Sequence, residues 1–119
     1  MIQVTTVLIV DDHPSFRANA HALLEAEGFE VVGEAEDGES AISEVRRLRP
    51  DVVLLDVQLP DIDGFEVASR LTANGSGPRV VLVSSRDGAE FGSLVERSGA
   101  SGFIPKAELS GRAITNLIQ

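Results

Sequence analysis

The chain has 119 residues, with 19 Asp and Glu against 10 Lys and Arg, for a formal charge of −9. That length suits one domain with its own core, and 43% hydrophobic with 24% charged residues is a globular balance. Without cysteine, disulfides, thiolate metal sites and cysteine nucleophiles are excluded; so few cations argue against nucleic-acid binding by this chain alone. No apolar run reaches the roughly 20 residues of a membrane span, and no signal peptide is visible, so a cytoplasmic protein is expected. The acid is unevenly spread: residues 1–64 hold 14 acidic and 4 basic side chains, residues 65–119 hold 5 and 6.

Short apolar runs alternate with helix-period stretches. Val4–Val10 predicts a first strand, ending before Asp11-Asp12. Pro14 then suits a helix first turn, and Phe16, Ala20, Leu23 and Leu24 form its apolar stripe. Gly28 suits that helix's C-terminus, and Phe29–Val32 predicts the second strand. Ala41, Val45 and Leu48 mark a second helix, stopped by Pro50. Val52–Leu55 predicts a third strand running into Asp56, followed by a helix on Val67, Ala68 and Leu71 that closes near Asn74-Gly75. Arg79–Val83 predicts a fourth strand ending at Ser84-Ser85, with a fourth helix on Phe91, Leu94 and Val95. Gly102–Ile104 predicts the last strand, before Pro105-Lys106, and Ala113, Ile114 and Leu117 mark the last helix.

Val52–Leu55 and Val80–Val83 are apolar on both faces, which belongs to the middle of a parallel sheet covered by helices. Five βα units with right-handed crossovers predict a flavodoxin-like, doubly wound α/β sandwich of three layers. The expected strand order is 2-1-3-4-5, and the ligand site should lie beyond the carboxyl ends of strands one and three.

That rule brings Asp11, Asp12, Asp56, Ser84 and Lys106 to one edge. Two unit charges 4 Å apart repel by about 4 kcal/mol at an effective dielectric of 20. A cluster of carboxylates therefore raises its pKa values or binds a cation, and oxygen ligands favour a hard ion such as Mg²⁺. Other chemistries lack their motifs: there is no dinucleotide or phosphate-binding glycine loop and no G-x-S-x-G elbow. His13 and His21 read as surface or capping histidines. Lys106 is the only lysine; the other nine basic residues are arginine.

The segment Val7–Arg17, containing Asp11-Asp12-His13-Pro14, resembles the start of a response-regulator receiver domain. So does Asp51–Gly64, in which Asp56 is followed by Pro60 and Gly64 at the family's spacing, and so do Val81–Ser84 and Gly102–Lys106. The resemblance covers essentially residues 1–119 as a single receiver domain, and the Asp-Asp-His-Pro-x-Phe-Arg block is similar to LuxR/NarL-type transcriptional regulators. It implies a signalling switch that catalyses only its own phosphorylation and dephosphorylation. Asp56 would accept a phosphoryl group from a sensor histidine kinase. Mg²⁺ or Mn²⁺ would be held by Asp12, Asp56 and the backbone carbonyl of Gln58, with Asp11 acting through water. Ser84 would be the switch hydroxyl, Lys106 the phosphoryl contact and Phe103 the aromatic switch. The fourth helix, fifth strand and fifth helix would form the responsive face, controlling dimerisation or a DNA-binding output domain. Such an output domain is expected C-terminal to this segment and is absent from the 119 residues.

This chain departs from the family pattern in its Ser84 where Thr is common, its Ser85 where Ala is common, its Phe103 in place of Tyr, and Ala107 rather than Pro after Lys106. Two other readings stay open at this stage. One is an interaction module that signals without phosphorylation. The other is a metal-dependent phosphatase, although Gln58 stands where such an enzyme usually has its second Asp.

Overall fold

The computed structural model describes residues 3–119. The elements run β1 (Thr6–Val10), α1 (Pro14–Ala26), β2 (Glu30–Ala35), α2 (Gly38–Leu48), β3 (Val52–Asp56) and α3 (Gly64–Thr72). They continue through β4 (Arg79–Ser84), a 3₁₀ turn (Gly88–Phe91), α4 (Leu94–Arg97), β5 (Gly102–Pro105), a second 3₁₀ turn (Lys106–Glu108) and α5 (Gly111–Ile118). The five strands form one parallel sheet in the order β2-β1-β3-β4-β5, the order expected.

The near-continuous Val/Ile/Leu runs explain the layering. A strand's side chains alternate between faces, so β1, β3 and β4 each supply both cores. Leu8, Val10, Val53, Leu55, Val80 and Leu82 pack with Ala41, Val67 and Ala68 of α2 and α3 on one side. Val7, Ile9, Val52, Leu54, Val81 and Val83 pack with Ala20, Leu24 and Ile114 of α1 and α5 on the other. Both faces are therefore covered, as a parallel sheet requires.

Three local outcomes differ from expectation. The first strand starts at Thr6, leaving Val4 half exposed. The second strand extends past Val32 through Gly33, Glu34 and Ala35, with a register shift against β1 between Val7 and Leu8. At a sheet edge β2 needs only one hydrogen-bonded neighbour, so a glycine and a charged residue are tolerated there. Gly33 also lets Leu48 of α2 close over the strand: a Cβ there would lie 2.8 Å from Leu48 Cδ1.

The fourth helix is the main correction. Phe91, Leu94 and Val95 do not share one helix: a 3₁₀ turn ends at Phe91, and a four-residue α4 begins at Leu94. Gly92 separates them at φ +55°, a conformation that glycine adopts without cost and that ends a helix. Phe91 and Val95 still pack on the core, whereas Leu94 is exposed.

Candidate functional site

The carboxyl edge of the sheet carries the predicted side chains. Asp11 and Asp12 follow β1, Asp56 is the last residue of β3, Ser84 the last of β4, and Lys106 opens the turn after β5. Register across β3, β4 and β5 levels them: Asp56 pairs with Val83, and Ser84 with Pro105. Gly64 lets α3 begin directly behind this edge, since a Cβ there would run into the main chain of Asp56 and Val57.

Asp11 is fully buried and fixed from several directions. Its N–H donates to Ala35 O at 3.0 Å. Its Oδ1 accepts from the His13 N–H at 2.8 Å, with His13 Nδ1 at 2.9 Å. Lys106 Nζ stands 2.6 Å from Asp11 Oδ2 and 3.3 Å from Asp56 Oδ2, bridging the two acids. The buried Asp11 Oδ2 has Lys106 beside it and, among the described residues, no other donor. Asp56 Oδ1 accepts from the Gln58 N–H at 3.1 Å. Ser84 is buried, and its Oγ accepts from the Arg86 N–H at 3.1 Å. The Phe16 ring, in the first turn of α1, lies 4.5 Å from Lys106 Nζ, within reach of a cation–π attraction.

The electrostatics follow from burial. Burial, together with the Asp11 charge, pushes Asp56 up from 3.8 to about 6, against the pull of the Gln58 N–H and Lys106. For Asp11 burial acts in the same raising sense, but hydrogen bonds and charge from Lys106 and His13 outweigh it and hold the carboxyl below its ordinary range. Lys106 shares its charge between two acids, so one of the pair bears the cost.

One donor atom from each of Asp11, Asp12, His13 and Asp56 lies within 4.8 Å of the others. Three carboxylates against one ammonium leave an excess of negative charge. With the spare lone pairs of Asp11 Oδ2, the donor set suits a hard divalent cation bound partly through water.

The structure thus brings Asp11, Asp12, Asp56 and Lys106 together, with Ser84 at the adjoining strand end. Phe103 lies elsewhere, on the α4 side of β5. It stacks edge-on against Phe91 with ring centroids 5.4 Å apart, and Phe91 stacks in the same way on Phe65. The turn at Pro105, Lys106 and Ala107 contains no cis peptide. His13 is exposed, as a surface histidine should be, and occupies the N-cap position of α1 without a side-chain cap; its Nδ1 faces Asp11 and, at 3.1 Å, Asp12 Oδ1. Its place directly after the acidic pair was the available signal. His21 pairs with Glu34 on the surface at 2.8 Å. Phe16 and Arg17 were not foreseen at the site; Arg17 Nη1 donates to Asp11 O at 2.6 Å.

Among the described residues no helix is long and apolar enough to cross a membrane. Residues 7–119 match the family model of the response regulator receiver domain. BvgA of Bordetella pertussis, named as a transcription regulator of virulence factors, is 40% identical over 102 residues, covering 86% of this chain and 49% of BvgA. The response regulator GacA of Pseudomonas viridiflava is 34% identical over 114 residues, covering 95% of this chain and 51% of GacA. The chain therefore spans about half the length of the curated relatives it matches. Among solved structures, the signal receiver domain of NarL from Mycobacterium tuberculosis superposes with a TM-score of 0.87 at 31% identity, covering 98% of each chain. Five parallel strands in this order, an acidic edge bridged by one lysine, and these likenesses place the chain in the response regulator receiver domain family, as a receiver domain of a two-component response regulator.

Proposed function

We propose that this receiver domain takes a phosphoryl group from a histidine kinase onto Asp56 and passes the signal to a transcriptional output. The observation that carries the reading is the bridge of Lys106 Nζ between Asp11 Oδ2 and Asp56 Oδ2 at the carboxyl edge. A carboxylate whose pKa is raised to about 6 is still ionised at neutral pH, and it is a better nucleophile than an ordinary one.

In the transfer, a carboxylate oxygen of Asp56 bonds to phosphorus. The nitrogen–phosphorus bond of the donor phosphohistidine breaks, and its electron pair stays on the imidazole. Little covalent work falls to the protein, so positioning and charge neutralisation dominate. Lys106 is placed to follow the negative charge from Asp56 onto the phosphoryl oxygens. Ser84, adjacent at the end of β4, supplies a hydroxyl that can donate to the same group. Asp12, Asp56 and the Gln58 carbonyl, with Asp11 through water, would hold Mg²⁺ or Mn²⁺, which would supply charge neutralisation for the transferring oxygens. Phe103 would respond through its stack on Phe91, carrying the change to the face formed by α4, β5 and α5, where a second copy or an output domain would dock. The likeness to BvgA and NarL supports a transcriptional, LuxR/NarL-type output, reached through a domain beyond this segment.

The test is labelling by acetyl phosphate with Mg²⁺, followed by intact-protein mass. One phosphoryl group per chain is expected for the wild type and none for Asp56→Asn. Wild-type-like labelling of the variant would place the acceptor elsewhere.

A further inference from the structure

Arg17 belongs to the Asp-Asp-His-Pro-x-Phe-Arg block, yet the phosphoryl chemistry gives it no task. Its side chain is only 17% exposed and its guanidinium is divided between two partners. Nη1 donates to the carbonyl oxygen of Asp11 at 2.6 Å, and Nε donates to Glu34 Oε1 at 3.1 Å. Glu34 comes from β2, and its other oxygen meets His21 Nδ1 from the next turn of α1 at 2.8 Å. A surface ion pair on long side chains contributes little. This one differs because a main-chain oxygen is the third member and both anchors lie on regular elements.

The identity of that oxygen matters. The Asp11 carbonyl is part of the peptide that joins Asp11 to Asp12, and a peptide group is planar. Holding the carbonyl therefore fixes the Asp12 N–H and Cα, the base from which the Asp12 side chain leaves the chain. Asp11 is already held by Ala35, His13 and Lys106. Asp12 is exposed, with a side-chain contact to His13 at 3.1 Å. Arg17 thus restrains the peptide that leads into the exposed member of the acidic pair.

We propose that Arg17, braced by Glu34, is a positioning residue that sets the Asp12 carboxylate for the divalent cation; the proposal rests on the phosphoacceptor reading above. It touches neither the reacting carboxylate of Asp56 nor a phosphoryl group. Its effect falls on metal affinity rather than on the transfer step. Groups of this kind typically change metal affinity by about 10- to 100-fold.

The experiment uses the full chain with Mn²⁺ as the probe, its binding read by electron paramagnetic resonance, beside acetyl phosphate labelling at low and at saturating metal. Arg17→Gln is expected to weaken Mn²⁺ binding by roughly tenfold. Labelling slows by the same factor at low metal and returns to the wild-type rate at saturation. In the metal-free protein the amides of Asp12 and His13 exchange faster with solvent. Arg17→Lys, which keeps the charge but loses the planar fork of the guanidinium, recovers part of the affinity. Glu34→Gln keeps an acceptor oxygen and the fold, and it is expected to give a smaller loss of about two- to threefold, in line with a lost charge-assisted bond. Arg112→Gln, on the exposed side of α5, leaves Mn²⁺ binding unchanged.

Mn²⁺ affinity of Arg17→Gln and Glu34→Gln within error of the wild type would overturn the role, as would a labelling defect that persists at saturating metal. A wild-type chain that neither binds Mn²⁺ nor takes a phosphoryl group would instead overturn the functional reading on which the role rests.

Discussion

Replacing Asp56 by Asn is expected to stabilise the metal-free protein at neutral pH, even though it removes the proposed acceptor. Asp56 is 3% exposed and faces the charge of Asp11, so its carboxyl titrates near 6 instead of 3.8. A shift of one unit corresponds to about 1.4 kcal/mol, so keeping Asp56 ionised at pH 7 costs the fold about 3 kcal/mol. Asn keeps an oxygen that can accept from the Gln58 N–H, leaves Lys106 wholly to Asp11 and carries no charge. Its amide also sets an N–H₂ group beside Lys106, so the net gain is about 1–3 kcal/mol.

The pH dependence has a definite sign. Above pH 6 both folded and unfolded states hold Asp56 ionised, and the folded state bears the full cost. Between about 6 and 4 the folded state takes up the proton first, so wild-type stability from this group rises as pH falls. The advantage of Asp56→Asn therefore shrinks over that window and is gone below the ordinary value of 3.8. The chain has no Trp or Tyr, so urea unfolding is followed by far-ultraviolet circular dichroism, in EDTA, from pH 4.5 to 8. A variant less stable than wild type at pH 7, or a gain equal at pH 4.5 and 8, would refute the assignment of the cost to this carboxylate.

Lys106→Met acts in the opposite direction. It leaves two buried acids without their cation and is expected to cost about 3 kcal/mol in metal-free urea unfolding. Added Mg²⁺ should restore more stability to that variant than to Lys106→Met/Asp56→Asn. Gly64→Ala drives a methyl into the main chain of Asp56 and Val57; a loss of about 1–3 kcal/mol is expected, with the Val57 amide, which donates to Val83 O, losing hydrogen-exchange protection. Phe16→Leu keeps the apolar contact of α1 but removes the ring 4.5 Å from Lys106 Nζ. It should cost about 0.5–1 kcal/mol in the wild-type background and much less in Lys106→Met, so a double-mutant cycle isolates the interaction.

The architecture was legible because its evidence is redundant. Five apolar runs, of which Val52–Leu55 and Val80–Val83 cannot present a polar face, leave a central parallel sheet as the economical arrangement. The order of strands then brings Asp11, Asp56 and Lys106 together across 95 residues of chain. What the pattern missed is local. The extension of β2 through Gly33 and Glu34 depends on an edge position, which composition does not reveal. Phe91, Leu94 and Val95 keep helical spacing although Gly92 interrupts the helix, because packing of Phe91 and Val95 on the same core selects similar residues with or without continuous helix. Arg17 and His13 were beyond the pattern for another reason. Periodicity tells which face of α1 meets the sheet, but not how far a polar side chain at the border reaches along the sheet edge.

The uneven charge of the chain acquires a physical meaning at that edge. Most acids of residues 1–64 are solvated, and a solvated carboxylate costs the fold little. Asp11 and Asp56 are buried, and a single ammonium cannot compensate both, so one acid is held low while the other is held near 6. Such a site is unfavourable to the fold as it stands, and any cation that enters is stabilised by the repulsion it relieves. The same imbalance makes Asp56 the carboxylate with the most to gain from a new bonding partner. An apolar replacement of the whole cluster would give a more stable sheet edge, as exchanges of buried ion pairs often do, but it would remove the difference between the free and the occupied states. A switch of the proposed kind needs that difference: a shift from 1:99 to 99:1 between two conformations takes about 5.5 kcal/mol of differential interaction. Under the proposed phosphoacceptor role, only the part of the roughly 3 kcal/mol at Asp56 that differs between the two conformations counts toward that amount.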